Sequence, residues 1–265
     1  MKTAPATNSA TALASASVII TRPADAAASL RRKVEALGGG AIGVPGLSLR
    51  QTPELQRVAA RSLAEARAQD WIFSSPAAVR FAFRLVPSLR IPHGARAFGV
   101  GAGTQRALAR RGIRALVPVD RSDSEGLLEL PELTDVRDRD VALIGAAGGR
   151  DLIAPTLSER GARVESIHVY ERGPPQLNRR HFEALARASD PLITLISSGE
   201  ALVNLVALLP PPLLARLRHQ ILIVSSARLA AIAEKQGFED VREAASASAD
   251  DLLDAACKAL ARHRL

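Results

Sequence analysis

The chain has few aromatic residues and a single cysteine, and both shortages exclude classes of protein. Aromatic side chains make up 3% of the 265 residues, too few for the stacking platform of a single-strand nucleic-acid binder. One cysteine, Cys257, cannot form an internal disulfide or a cysteine-rich metal site. Its amphipathic surroundings favour a small buried residue over the alternative, a nucleophile. The five histidines lack the H-x-x-x-H spacing of a zinc site, so no metal is expected.

Long apolar runs are also absent. No stretch is long and uninterrupted enough to cross a bilayer. The opening MKTAPATNSATALASAS is rich in Ala, Ser and Thr and lacks the clear apolar core of a secretion signal. We therefore expect residues 1–16 to form a disordered N-terminal tail. We also expect a cytoplasmic protein that does not bind membranes.

Positive charge is what the chain does have. Lys and Arg number 35 against 27 Asp and Glu, which gives a formal net charge of +8, carried mainly by arginine. Such a field attracts anions, whether nucleic acid, phosphate or polycarboxylate. The arginines are spread over many segments and no nucleic-acid-binding module is recognisable, so nucleic acid is not an expected partner.

Short apolar runs alternate with helix-period segments along the chain. SVIITRP is followed by DAAASLRRKVEALGG, and PLITLISSG by EALVNLVALL. This alternation predicts α/β structure with parallel sheets. The order of segments also repeats, because Ser74 and Ser197 lie 123 positions apart and Gly101 and Ser226 lie 125 apart. A spacing this long is too great for a solenoid and predicts two similar domains.

The turns that follow the predicted strands are small, hydroxylated or rich in glycine. Ligands of parallel sheets bind beyond the carboxyl ends of the strands, where helix N-termini attract anions. Any one such turn is explained as a helix N-cap alone, but the repeated set predicts rims that bind a large polyanion. The turns are Thr21-Arg22, Ser74-Ser75, Gly101-Ala102-Gly103-Thr104, Gly148-Gly149-Arg150, Ser197-Ser198-Gly199 and Ser225-Ser226.

One of these turns raises a second interpretation. The stretch AFGVGAGTQRALARRGIRALVPVD is close to the dinucleotide fingerprint G-x-G-x-x-G, with Asp120 where an acidic residue would bind the ribose. Arg106 occupies the third glycine position, where close helix packing requires no large side chain. This arginine counts against dinucleotide binding, so an NAD-linked enzyme built on Gly101 and Gly103 is the weaker alternative.

The only tyrosine, Tyr170, ends the run ESIHVY just before a proline-rich link. Such a residue is usually a core or interface tyrosine. Its place at a predicted domain junction also makes it a candidate acid or hydrogen-bond donor for a bound ligand.

In their order, these segments resemble the uroporphyrinogen-III synthase family. The matching segments are IITRP, WIFSSPAAVRF, VGAGTQRALARRG, SEGLL, GGRDLIAPTLSERGARVESIHVYER, LISSGEAL and VSSARLAAIAEKQGF. The resemblance implies two similar doubly wound, flavodoxin-like α/β domains, joined by a two-strand connection with a cleft between them. It implies one discontinuous domain, residues 17–46 plus 173–265, and one inserted domain, residues 47–172.

The resemblance also implies a reaction. The substrate would be hydroxymethylbilane, a linear tetrapyrrole that bears acetate and propionate groups on every ring. It would lose water and cyclise to uroporphyrinogen III, with inversion of the last pyrrole ring through a spiro intermediate. The implied enzyme is a cofactor-independent, monomeric lyase, which would receive its substrate from the preceding bilane-forming enzyme. A two-domain anion-binding sensor is the alternative outside enzymes.

Tyr170 matches the family tyrosine to which protonation of the leaving hydroxyl is ascribed, and we expect it to act as that proton donor. For Arg22 and Arg150, stabilisation of a loop is an equal alternative to substrate binding. The residues expected to bind the substrate are Arg22, Ser74, Ser75, Gly101, Ala102, Thr104, Gly149, Arg150, Ser197, Ser198 and Ser226.

Overall fold

A computed structural model describes residues 11–119, 121, 123–147 and 152–263 of the chain. They form two compact units. Unit 1 comprises the described residues through Ser48 and those from Gly173 onward, and unit 2 comprises those from Leu49 to Arg172. Each unit is built on one five-stranded sheet.

The described elements alternate between strand and helix over most of the chain, as the apolar pattern predicts. No helix among them has the length and apolar character needed to cross a membrane. In chain order they are β1 (Ser17–Ile20), α1 (Ala24–Ala36), β2 (Gly40–Gly43), β3 (Ser48–Arg50), α2 (Pro53–Glu65), β4 (Asp70–Phe73), α3 (Pro76–Leu85), β5 (Arg96–Gly99), α4 (Ala102–Ala109), α5 (Ser124–Leu128), α6 (Pro131–Thr134), β6 (Asp140–Ala147), α7 (Ile153–Glu159), β7 (Arg163–Gly173), α8 (Arg179–Ala186), β8 (Leu192–Ile196), α9 (Gly199–Leu208), α10 (Pro211–Arg218), β9 (Ile221–Val224), α11 (Ala227–Lys235), β10 (Asp240–Glu243) and α12 (Ala249–His263).

The sheet of unit 1 has the strand order β10-β9-β8-β1-β2, and its neighbouring strands pair in parallel. Successive side chains of β1 point to opposite faces. Val18 and Ile20 pack with α1 and α12, whereas Ile19 packs with α9, α10 and α11. Because both faces are covered by helices, the strands are continuous buried apolar runs.

The sheet of unit 2 has the order β3-β7-β6-β4-β5, and the pairs among β4, β5, β6 and β7 are parallel. Trp71 and Phe73 of β4 pack with α2, α3 and α4 on one face. Ile72, between them, packs with α5, α6 and α7 on the other. Both sheets are therefore doubly wound, and the predicted α/β fold class is confirmed.

The chain passes between the units within two strands. The first crossing follows Ser48, at the start of β3, and the second follows Arg172, near the end of β7. β3 and β7 are neighbours in the sheet of unit 2. On the unit 1 side of the crossings, the Ser48 hydroxyl donates a hydrogen bond to the Pro174 carbonyl at 3.0 Å.

The N-terminal segment differs from the predicted tail. Leu13 is fully buried and Ala16 is 3% exposed, and both belong to the core that contains α1 and α12. The Leu13 amide also donates to the Leu37 carbonyl at 2.9 Å. The structure thus contradicts the predicted disorder at Leu13 and Ala16, because both side chains pack in the core formed with α1 and α12. Residues 1–10 lie outside the described part of the chain.

Candidate functional site

Each sheet has one position at which the direction of its connections reverses. In unit 1, β1 connects to β2 on one side and β8 connects to β9 on the other, so the reversal lies between β1 and β8. In unit 2 it lies, by the same reasoning, between β4 and β6. Loops diverge at such a point and leave a crevice at the carboxyl ends of the strands, where ligands bind. The turns predicted to bind anions include those that follow β1, β8 and β4.

The hydroxyl groups of Ser75 and Tyr170 meet at the carboxyl edge of unit 2. Ser75 is the N-cap of α3, and its Oγ accepts a hydrogen bond from the Ala78 amide at 3.0 Å. The same Oγ lies 3.1 Å from the Tyr170 Oη, and either hydroxyl can donate. Two residues that are 95 positions apart in sequence thus form one hydroxyl pair at a helix N-terminus.

The ring of Tyr170 is held by packing. Tyr170 is 2% exposed, and its ring stacks on that of Phe81 with centroids 5.0 Å apart. The Arg84 guanidinium lies 5.1 Å from the Phe81 centroid. A stacked, buried ring has few alternative rotamers, so the phenol oxygen is fixed relative to α3. Tyr170 can therefore be a core residue and a hydrogen-bond donor at the same time in this fold.

The position of Tyr170 depends on an irregularity in β7. Opposite β6, His168 pairs with Gly145 and Tyr170 with Ala146, so Val169 has no partner of its own. Strand alternation would place neighbouring side chains on opposite faces. Here Val169 and Tyr170 are both buried on the face covered by α3. This bulge turns the tyrosine toward Ser75.

Gly145, in β6, gives room to the Ser74 side chain. A Cβ atom at this position would lie 2.6 Å from the Ser74 Oγ, closer than any real contact allows. The Ser74 amide donates to the Ile144 carbonyl at 3.0 Å, which holds the turn after β4 against β6. The Ser74 hydroxyl therefore lies over the point where the strand order reverses.

The turn Gly101–Thr104 lies beside Ser74 and Ser75, because β5 is the neighbour of β4 and a Cβ on Gly103 would lie 3.3 Å from the Pro76 side chain. Gly101 is the N-cap of α4, and Ala102 is exposed. Thr104 is 3% exposed and packs so closely on Gly99 that an added Cβ there would lie 3.0 Å from the threonine. Its side chain therefore fills the core; Gly101 is also buried, and Ala102 is the exposed residue of the turn.

In unit 1, Thr21 and Arg22 follow β1. The Thr21 hydroxyl donates to the Leu195 carbonyl of β8 at 2.7 Å, which joins the two strands at the reversal point. Arg22 Nη2 donates to the Ala247 carbonyl at 2.6 Å. Burial lowers the pKa of the Arg22 guanidinium. The hydrogen bond from Arg22 to Ala247 joins the turn after β1 to the loop before α12. It gives Arg22 the loop-stabilising role that was one of its two predicted roles.

Ser198 and Ser226 are helix N-caps in unit 1. Ser198 Oγ accepts from the Ala201 amide of α9, and Ser226 Oγ accepts from the Leu229 amide of α11, both at 3.4 Å. A serine that caps in this way keeps its own hydroxyl proton, which can be donated to an anion. Ser197, which begins the turn after β8, is half-buried beside Ser198.

The opposite edge of unit 2 holds a charge cluster with a structural role. Asp70 is fully buried, and its carboxylate accepts four hydrogen bonds, at 2.6–3.0 Å, from Arg96 and Arg139. Burial raises the pKa of this carboxyl, but the hydrogen bonds from the two arginines outweigh it and hold the pKa below its usual range. The cluster joins the amino ends of three strands, away from the turns described above.

The predicted residues are thus brought together in two groups, one in each unit. Gly149 and Arg150 lie outside the described residues. Sequence reasoning missed Phe81 and Gly145. A signal for Phe81 was present, since the apolar residues Ala78, Phe81 and Ala82 recur at helical spacing within α3 and are buried there.

A family model described as uroporphyrinogen-III synthase HemD matches residues 28–254. The chain belongs to this family. It is 34% identical over 246 residues to uroporphyrinogen-III synthase of Salmonella typhimurium, a match that covers 90% of this chain and 99% of the relative. It is 32% identical over 244 residues to the Escherichia coli enzyme, with the same coverage of both chains. As a member of the uroporphyrinogen-III synthase family, the protein is an enzyme of haem biosynthesis.

Two solved structures of uroporphyrinogen III synthases have a similar fold. A mutant enzyme from Thermus thermophilus has a TM-score of 0.57 at 21% identity, covering 93% of this chain and 99% of that one. The Helicobacter pylori protein has a TM-score of 0.58 at 14% identity, covering 91% and 98%. These likenesses support the α/β fold. Neither the sensor nor the NAD-linked alternative finds support in any of these matches.

Proposed function

We propose that the protein cyclises hydroxymethylbilane to uroporphyrinogen III, as a carbon–oxygen lyase of the hydro-lyase type. The terminal hydroxyl of the bilane leaves as water and produces an electrophilic azafulvene. The last pyrrole ring attacks through its substituted carbon to give a spiro intermediate, and cleavage and reclosure then invert that ring. Membership of the uroporphyrinogen-III synthase family supports this reaction.

The observation that carries the proposal is the hydroxyl pair of Ser75 and Tyr170. Loss of a hydroxyl group as water requires a proton. Ser75 Oγ accepts a hydrogen bond from the Ala78 amide, and its own hydroxyl proton is free to be donated to the Tyr170 Oη. When Ser75 is the donor, the phenol proton is not used in this pair and can be donated to the leaving hydroxyl. We assign Tyr170 the role of that donor.

The carboxylates of the substrate are proposed to bind at the helix N-termini of both units. The first amides of a helix have no partner within it, and the helix dipole adds positive potential there. Four of these N-termini begin at the turns containing Ser75, Gly101, Ser198 and Ser226. Each turn combines free amides with a small side chain, so a carboxylate can approach the backbone closely.

One part of the chain is rich in arginine and lacks acidic residues, and its positive charge can attract the anionic substrate from a distance. Residues 71–119 contain eight arginines and no acidic residue. This stretch includes α3 and α4, whose N-termini form the proposed carboxylate sites of unit 2, and Arg84, Arg106, Arg110 and Arg111 are exposed on it. An excess of one charge around a binding region raises the rate of encounter with a ligand of opposite charge.

Positioning explains why the proposal needs no nucleophilic residue. The bilane cyclises without inversion when it is left alone, so the enzyme must select one ring geometry and stabilise charge as water leaves. Fixed hydrogen-bond donors and a fixed substrate orientation can supply many kcal/mol of such selection.

The test supplies freshly prepared hydroxymethylbilane to the purified protein, oxidises the products to porphyrins and separates the isomers by chromatography. We expect the type III isomer to predominate. Type I product alone, formed at the rate of the enzyme-free control, would refute the synthase assignment.

Tyr170→Phe tests the donor separately. Phenylalanine keeps the ring and its stacking on Phe81 while it removes the hydroxyl, so a lower kcat reports the lost donor. A Tyr170→Phe variant with full turnover and full type III product would remove the role of Tyr170 and leave the synthase assignment intact.

The proposal includes a monomeric, cytoplasmic enzyme that requires no cofactor and receives its substrate from the bilane-forming enzyme. Light scattering measures the oligomeric state, and activity after dialysis against a chelator tests whether the enzyme requires a metal cofactor. Coupled assays with the bilane-forming enzyme, with and without a trap for free bilane, test delivery.

A further inference from the structure

The hydrogen bond between Gln51 and Val169 has no part in the function described so far. Gln51 follows β3, the strand next to β7, and its Nε2 donates to the Val169 carbonyl at 2.8 Å. Val169 is the residue that the pairing of β6 with β7 passes over. The side chain of Gln51 therefore binds the backbone at the bulge that precedes Tyr170.

The bulge decides which face of the sheet receives Tyr170. Ile167 and Val169 lie on the face covered by α3, so regular alternation would direct residue 170 to the other face. Because two residues of β7 oppose one of β6, Tyr170 lies on the α3 face beside Val169. Its ring reaches Phe81 and its hydroxyl reaches Ser75 only in this arrangement.

A bulge leaves backbone groups without their usual partners in the ladder. A carbonyl that is buried without a partner favours any rearrangement that exposes or pairs it. The Gln51 amide supplies a partner to the Val169 carbonyl, and it is half-buried where it does so. It thus favours the bulged register over a regular one.

We propose that Gln51 is a positioning residue that sets the orientation of Tyr170 by stabilising the β7 bulge. This inference rests on the proposed role of Tyr170 as proton donor. A displacement of about 1 Å at a reacting group lowers rates by up to about a hundredfold, so a small shift of the bulge affects catalysis although Gln51 touches neither the substrate nor the phenol.

The test variant is Gln51→Met, which keeps the length of the side chain and removes the donor. The matched control is Gln56→Met, the same change on the exposed side of α2. We expect Gln51→Met to lower kcat by about tenfold with KM within about twofold of wild type. Gln56→Met should match wild type in both constants.

A double-mutant cycle tests whether Gln51 acts through Tyr170. In a Tyr170→Phe background there is no phenol hydroxyl to position, so Gln51→Met should lower kcat by less than about twofold further. Equal losses in both backgrounds, or a Gln51→Met enzyme as active as Gln56→Met, would overturn the proposal.

A readout without activity uses the fact that Tyr170 is the only tyrosine of the chain. Protein labelled with 3-fluorotyrosine gives one ¹⁹F resonance for the native ring. We expect Gln51→Met to shift or broaden it and Gln56→Met to leave it unchanged. An unchanged resonance in Gln51→Met refutes positioning even if the protein makes no type III product, so the two proposals fail separately.

Discussion

Replacing Asp70 with asparagine is expected to destabilise unit 2 without altering the turns at its carboxyl edge. The Asp70 carboxylate is fully buried at the start of β4 and accepts four hydrogen bonds from Arg96 and Arg139. Asparagine has nearly the same shape but no charge and only one acceptor oxygen. Its NH₂ group would face a guanidinium, donor against donor.

The size of the effect follows from the exposure of the partners. Removal of one member of a buried ion pair costs about 3–5 kcal/mol, because the remaining charge is left uncompensated. The side chains of Arg96 and Arg139 are 31% and 29% exposed, so water can solvate part of each guanidinium. We therefore expect the lower end, about 3 kcal/mol, which corresponds to a fall in Tm of about 10 °C for a unit of this size.

Trp71 offers the assay, because it is the only tryptophan and is 1% exposed in β4 beside Asp70. Its fluorescence during urea denaturation reports unit 2 alone. Asp140→Asn is the matched control, since Asp140 begins β6 but is half exposed and pairs with the exposed Arg163. If Asp70→Asn and Asp140→Asn unfold at the same urea concentration, the reasoning from charge burial is refuted.

The same cluster predicts a dependence on pH. The folded pKa of Asp70 is below the unfolded value, because the hydrogen bonds from Arg96 and Arg139 outweigh burial. A group with a lowered folded pKa stabilises the fold above its unfolded pKa, and this contribution is lost as pH falls through the folded pKa. The urea concentration at the unfolding midpoint of the wild type should therefore decrease as the pH is lowered below about 4. The decrease should be smaller in Asp70→Asn.

Three further outcomes are expected. In Gly145→Ala, the new methyl group forces the Ser74 hydroxyl to turn away. Because Ser74 is one of the residues that the sequence predicts to bind the substrate, KM for the bilane should rise, and an unchanged KM would contradict that role of Ser74. Replacing Arg110 and Arg111 together with glutamine should lower kcat/KM at low salt and flatten its dependence on ionic strength, with kcat unchanged; a wild-type salt slope would argue against steering. Burial raises the pKa of the Cys257 thiol, so less thiolate is present at neutral pH. Alkylation of Cys257 should therefore be slow in the native protein and fast in urea. Rapid labelling of the native protein would show that the thiol is more accessible than this fold allows.

Local features were predictable from the sequence. Ser75, Ser198 and Ser226 are N-caps in the structure, as their positions before helix-period segments indicate. The alternation of strands and helices was equally clear, because both signals act within about four residues of the chain. The choice of Tyr170 depended on its being the only tyrosine and on the family resemblance.

Long-range placement was beyond the sequence. Nothing local shows that Thr104 fills a space beside Gly99, or that Arg22 binds a carbonyl 225 residues away. Each of these contacts depends on which strands become neighbours and which face of the sheet a helix covers.

The sequence by itself therefore determined the elements, their caps and the class of fold, since these depend on propensity and periodicity over short segments. Only the tertiary structure decided that β7 carries a bulge and that Tyr170 meets Ser75. The physical reason is that a bulge is a mismatch between two paired strands. It arises only when β6 and β7 are paired, and neither strand encodes it alone.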